Sequence, residues 1–111
     1  MGSLAIALPC LPGGASKLRE IAHECSNGRR AEFEDFHRRV GLTGERWYIQ
    51  QTPQGELALI TLEGDPVGAI GKLGASDHPF DVWFRDQVKQ VHGVDFAEPM
   101  PGPPPEQVFE G

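Results

Sequence analysis

Leu4, Ile6 and Leu8 alternate with Ser3, Ala5 and Ala7. This period of two, with a large face and a small face, predicts a strand over 3–9. The small face suits a close approach to a helix or a position beside a cavity. Pro9, Pro12, Gly13 and Gly14 then turn the chain. Over 15–26 the period lengthens: Leu18, Ile21, Ala22 and Cys25 form one buried helical stripe, which Asn27-Gly28 ends. Residues 29–40 repeat the pattern with Phe33, Phe36, His37 and Val40, and Gly41 stops it. Two alternating segments, 45–52 and 56–63, flank the turn Pro53-Gln54-Gly55 and predict an antiparallel hairpin. Asp65-Pro66 opens a helix over 67–73, with Asp65 as N-cap and proline in the first turn. A last helix spans 79–92, capped by His78 or Asp77, with a stripe of Phe80, Trp83, Phe84, Gln87 and Val91.

The region beyond Gly93 is rich in proline and cannot be helical. Residues 107–110 suit a short edge strand. One domain over 1–98 with a Pro-rich tail over 99–111 is therefore expected. The order strand, split helix, strand, strand, split helix, with a terminal strand, is α+β. It is the βαββαβ order of a ferredoxin-like fold, an antiparallel sheet with helices on one face. The other face would be bare, and both alternations of the second hairpin strand are apolar: Leu57 and Leu59, or Ala58, Ile60 and Leu62. A bare apolar face needs a cover, and a second copy is the simplest one, so a homodimer is expected.

Charge narrows the partners. Sixteen acidic against ten basic residues leave a net charge of −6. A general nucleic-acid binder needs the opposite balance. No apolar run approaches the ~20 residues of a membrane span, and Met1 to Ile6 has neither the basic start of a signal peptide nor a myristoylation pattern. Cys10 and Cys25 are too few for a disulfide framework, so the expected compartment is the reducing cytoplasm, with Cys25 buried in its stripe. The alternation of Arg29, Arg30, Arg38 and Arg39 with Glu32, Glu34 and Asp35 reads as a solvated helix face.

Candidate chemistry centres on His37. On an apolar stripe, a histidine serves either as an acid/base group near neutral pH or as a core-edge side chain with a satisfied hydrogen bond. Tyr48 can donate to a developing oxyanion and Gln50 can bind a carbonyl, provided their face lines the pocket; otherwise Trp47 and Ile49 line it. Phe33, Phe80 and Trp83 can wall an apolar ligand site, or be plain core. His78 at a helix start is a capping residue or a neutral base. Asp77 and Asp81 suit the first turn of that helix. His92 suits a cation at the helix C-terminus, and His23 falls on the solvent side. No spacing of His, Cys or carboxylates points to a metal, and no Walker loop, GxGxxG or GxSxG is present.

Three segments carry a resemblance: PCLPGGASK over 9–17, QQTPQG over 50–55 and SDHPFDVWFRDQVKQVHGVD over 76–95. They resemble a small bacterial family within the dimeric α/β-barrel superfamily. Near His78 the chain departs from the acidic residue usual there. The superfamily includes antibiotic-biosynthesis monooxygenases, polyketide cyclases, lactone isomerases and haem-handling enzymes, and fold alone does not choose among them. The resemblance implies a pocket between sheet and helices. Together with the residues, the expectation is a cofactor-independent cyclase or isomerase of secondary metabolism. It would act by acid/base catalysis on a hydrophobic, polyketide- or terpenoid-like substrate. The alternatives are a cofactor-free monooxygenase of a phenol and a non-catalytic dimer that binds an apolar ligand or haem.

Overall fold

The structure is a computed structural model that describes residues 2–99 and 102–111. Strand β1 (Gly2–Pro9) leads through helices α1 (Gly14–Ser26) and α2 (Arg30–Val40) to the hairpin β2 (Leu42–Thr52) and β3 (Gly55–Gly64). Helices α3 (Pro66–Ala75) and α4 (Pro79–His92) follow. The fold is α+β. Its three strands form one antiparallel sheet in the order β1-β3-β2. β3, the most continuously apolar strand, takes the centre. Among the described residues no helix is long and apolar enough to cross a membrane.

Register assigns each strand a helix-facing side. Ile6, Ile60 and Trp47 lie opposite one another, as do Leu4, Leu62 and Glu45, and Leu8, Ala58 and Ile49. These rows meet the buried stripes of the helices: Leu18, Ile21 and Cys25 of α1, Phe36 and Val40 of α2, Ala69 and Leu73 of α3, and Phe80, Phe84 and Val91 of α4. The small face of β1 does not lie under the helices, although Ala7 edges a surface groove. Ser3, Ala5 and Ala7 are exposed on the open side of the sheet, because the larger Leu4, Ile6 and Leu8 gain more from burial.

β2 begins three residues earlier than the alternation suggests. An irregularity between Leu42 and Gly44 lets Leu42 pair with Gly64 before the regular ladder starts. Gly64 needs to be glycine here: its φ is 114°, and a Cβ would collide with the Gly41 carbonyl.

Residues 107–110 form no strand, and Val108 and Phe109 are exposed. Pro103, Pro104 and Pro105 lie instead in a groove with Leu4, Leu8, Val67 and Ile70. Proline has no N–H to donate to a ladder, so this stretch covers the sheet edge beside β1 without pairing to it.

Helix ends follow local chemistry. Asp65 accepts from the Gly68 N–H at the start of α3, and the Nδ1 of His78 accepts from the Phe80 N–H at the start of α4. Asp81 lies in the first turn of α4, as expected, but its side chain turns inward. It is fully buried and accepts two hydrogen bonds from Arg39, at 2.7 and 2.9 Å, and a third from Ser76 at 2.6 Å. Arg39 is therefore not part of a solvated face; it ties α2 to α4. Arg29 likewise folds over the Trp83 ring at 4.1 Å.

Burial alone would raise the Asp81 pKa, but the hydrogen bonds from Arg39 and Ser76 outweigh it and hold the carboxyl below its usual 3.8. A depressed folded value stabilises the fold above about pH 4 and loses that contribution as pH falls through the folded pKa. Asp81→Ala should cost about 2 kcal/mol at pH 7, since Arg39 loses its buried partner and keeps only the partly exposed Asp35. Thermal unfolding of both proteins checks this: the gap in Tm should narrow on going from pH 7 to pH 3. An equal gap at both pH values would contradict the ionic role.

Candidate active site

The stripe of α2 points at the sheet and places His37 against β2. On β2, Glu45 and Trp47 are two residues apart and share the helix-facing side. The three polar side chains meet there. His37 Nε2 donates to Glu45 Oε1 at 2.9 Å, and Trp47 Nε1 donates to Glu45 Oε2 at 2.6 Å. The Phe33 ring lies against the imidazole, 4.4 Å between centroids. The Glu45 side chain is only 6% exposed, and that of His37 is 16% exposed.

A buried carboxylate is costly unless its oxygens find donors. Each Glu45 oxygen has one, and each keeps a further lone pair. Glu45 also borders a cavity of ≈ 70 Å³ between sheet and helices. Trp47, Phe36, Phe84, Ile60 and Leu73 line the same space, and among the described residues the one titratable group on its wall apart from Glu45 is His92. The Cys25 thiol is buried nearby; desolvation, reinforced by the Glu45 charge, pushes its pKa up to about 12. It is no nucleophile.

His92 is not the helix-terminal cation that its place before Gly93 suggests. Its Nδ1 donates to the Pro9 carbonyl at 2.8 Å, which ties the end of α4 to the end of β1. Burial pushes its pKa below the ordinary 6.5 against the opposing pull of that hydrogen bond, so the ring is neutral at pH 7.

The other candidates separate. Tyr48 and Gln50 lie on the open side of the sheet, away from His37: Tyr48 is exposed, and the Gln50 amide bonds to the Gln51 carbonyl. Trp47 and Ile49 are thus the β2 residues that face the helices. His78 caps α4 beside Asp81 and does not border the cavity. Phe80 is fully buried and stacks on Phe84, 5.8 Å between centroids, as core. Trp83 packs beside Phe80 and under Arg29. His37, Trp47 and Phe33 come together around Glu45, and of these three Trp47 lines the cavity; Tyr48, Gln50, His78, Phe80 and Trp83 do not line it.

Sequence reasoning does not single out Glu45, and it gives His92 only a structural role. Glu45 shares the parity of Trp47 and Ile49, so a carboxylate in an otherwise apolar alternation was the available signal. It becomes readable once the face of β2 is known. His92 had no comparable signal, because its partner is a backbone carbonyl 83 positions away. Among the described residues no three His, Cys, Asp or Glu side chains converge to hold a metal ion. Comparison with protein-family models, curated proteins and solved structures finds no match to this chain.

Proposed function

We propose that the protein is a cofactor-independent acid/base enzyme of the isomerase or cyclase type, acting on an apolar, carbonyl-bearing small molecule. One observation carries this reading: a nearly buried carboxylate, Glu45, borders an otherwise apolar cavity and has an imidazole at its back. In water a carboxylate is a weak base toward carbon, because hydration stabilises its charge. A dry, apolar cavity removes that hydration. The proton of a C–H beside the carbonyl passes to a free lone pair of Glu45, and the C–H electron pair moves into the carbonyl to give an enolate. In a substrate with a double bond one carbon further on, the enolate charge extends to the γ-carbon, and returning the proton there isomerises the substrate. His37, the more exposed of the pair, exchanges the proton with solvent, while the Trp47 N–H holds Oε2 in place. Such a proton transfer needs no electron carrier.

The size of the cavity narrows the substrate. At ≈ 70 Å³ it is far below the roughly 300–1,000 Å³ of a drug-sized ligand site. It suits a small compound, or the reacting end of a larger one, rather than an entire polyketide. The direct test is hydrogen–deuterium exchange in D₂O, followed by proton NMR, at the α-carbons of cyclopentanone and 2-hydroxycyclopentanone. Exchange should exceed the buffer rate and fall about 100-fold in Glu45→Gln, the usual weight of a general base. Binding without exchange would indicate a ligand-binding module and overturn the enzymatic reading, as would an undiminished rate in Glu45→Gln.

The open side of the sheet supports self-association. Ala5, Ala7, Leu57, Leu59 and Tyr48 lie on it, opposite the helices. Two copies meeting there would pack sheet against sheet, with the helices outside, as in a dimeric α/β barrel. Sedimentation should show a dimer that Leu59→Arg converts to a monomer; a monomeric wild type would contradict this.

A further inference from the structure

We infer that His92 is the polar anchor of the cavity and accepts a hydrogen bond from a hydroxyl group of the ligand. A carbonyl oxygen can only accept, so the 2.8 Å contact to the Pro9 carbonyl places a proton on Nδ1 of His92. In the neutral ring, Nε2 is then a bare lone pair. Among the described residues nothing donates to it, and the ring borders the cavity. Desolvation favours that neutral form.

The second polar group on the wall has the same sense. Ionised Glu45 is an acceptor, and the Trp47 N–H beside it is already used on Oε2. The cavity therefore offers acceptors at its two polar positions and apolar surface elsewhere. A bare ketone, ester or hydrocarbon has no donor to offer His92 Nε2. An alcohol, phenol, enol or hydroxyketone satisfies it. Sites built to pair a hydroxyl discriminate against analogues that lack it, because the pairing group is left unpaired. The substrate class of the proposed reaction thereby narrows to hydroxyl-bearing compounds. This step rests on the cavity being the ligand site, as proposed above, and not on any turnover there.

The test uses the full chain labelled with ¹⁵N-histidine and long-range ¹H–¹⁵N correlation spectra, with phenol and toluene as probes of nearly equal shape. Free protein should show His92 with Nδ1 protonated and Nε2 bare. Phenol should move the Nε2 resonance and bind about tenfold more tightly than toluene, the worth of one hydrogen bond. In His92→Phe that preference should vanish. Two results would overturn the anchor alone: the opposite tautomer, or equal binding of both probes with Nε2 unmoved. If neither probe perturbs any resonance of the cavity residues, the cavity is not a ligand site, and the anchor fails together with the reading it rests on. Phenol bound at Nε2 with no exchange at any ketone would leave the anchor standing and remove the enzymatic reading.

Discussion

The helix-facing side of β2 carries a carboxylate where an apolar side chain would be cheapest, and the neighbouring arrangement answers to that fact. Glu45 is desolvated by the same packing that buries Leu42 and Leu62. Left alone it would cost several kcal/mol. His37 from α2 and Trp47 from its own strand remove most of that penalty with one hydrogen bond per oxygen. The pairing fixes where α2 crosses the sheet and how the Trp47 ring lies. It also sets the wall of the cavity, because the carboxylate is held there rather than turned to solvent.

A second set of charges holds the helices in place. The Arg39 guanidinium reaches from α2 to the buried Asp81 of α4, and Asp35 and Ser76 complete the cluster. Arg39 and His37 leave the same helix two residues apart, so one helix carries both the link to α4 and the partner of Glu45. Around them Phe33, Phe36, Phe80 and Phe84 pack with ring centroids about 6 Å apart, a spacing typical of favourable aromatic pairs. Rigid packing around a reacting group is what holds a catalytic geometry. The α2–β2–α4 contact supplies such packing around Glu45.

Elements with one strong period were legible in the sequence. The stripes of α1, α2 and α4, the hairpin, the Asp65 cap and the inward turn of His37 all follow from spacing and local chemistry. What escaped depended on long-range choices. The face of β2 is ambiguous because Arg46, Tyr48 and Gln50 on one side and Trp47, Ile49 and Gln51 on the other are both mixed. The ladder to β3 decides it, and only then does Glu45 stand out. Asp81 and Arg39 look like surface charges in a helical pattern, since a pattern cannot reveal that two of them will meet in the interior. His92 reads as a terminal cation until the Pro9 carbonyl is seen beside it. Residues 107–110 hold no proline and suit a strand locally, but they pair with no strand of the sheet.

The central claim is that Glu45 borders a dry, apolar space rather than solvent or a filled core. A crystal structure under xenon pressure tests this most directly, because xenon occupies apolar cavities and avoids hydrated ones. Xenon density is expected between sheet and helices, in contact with Trp47, Phe84 and Leu73 and adjacent to the Glu45 carboxylate. Absence of xenon, with water hydrogen-bonded to Glu45 or with Trp47 and Phe84 closing the space, would contradict it.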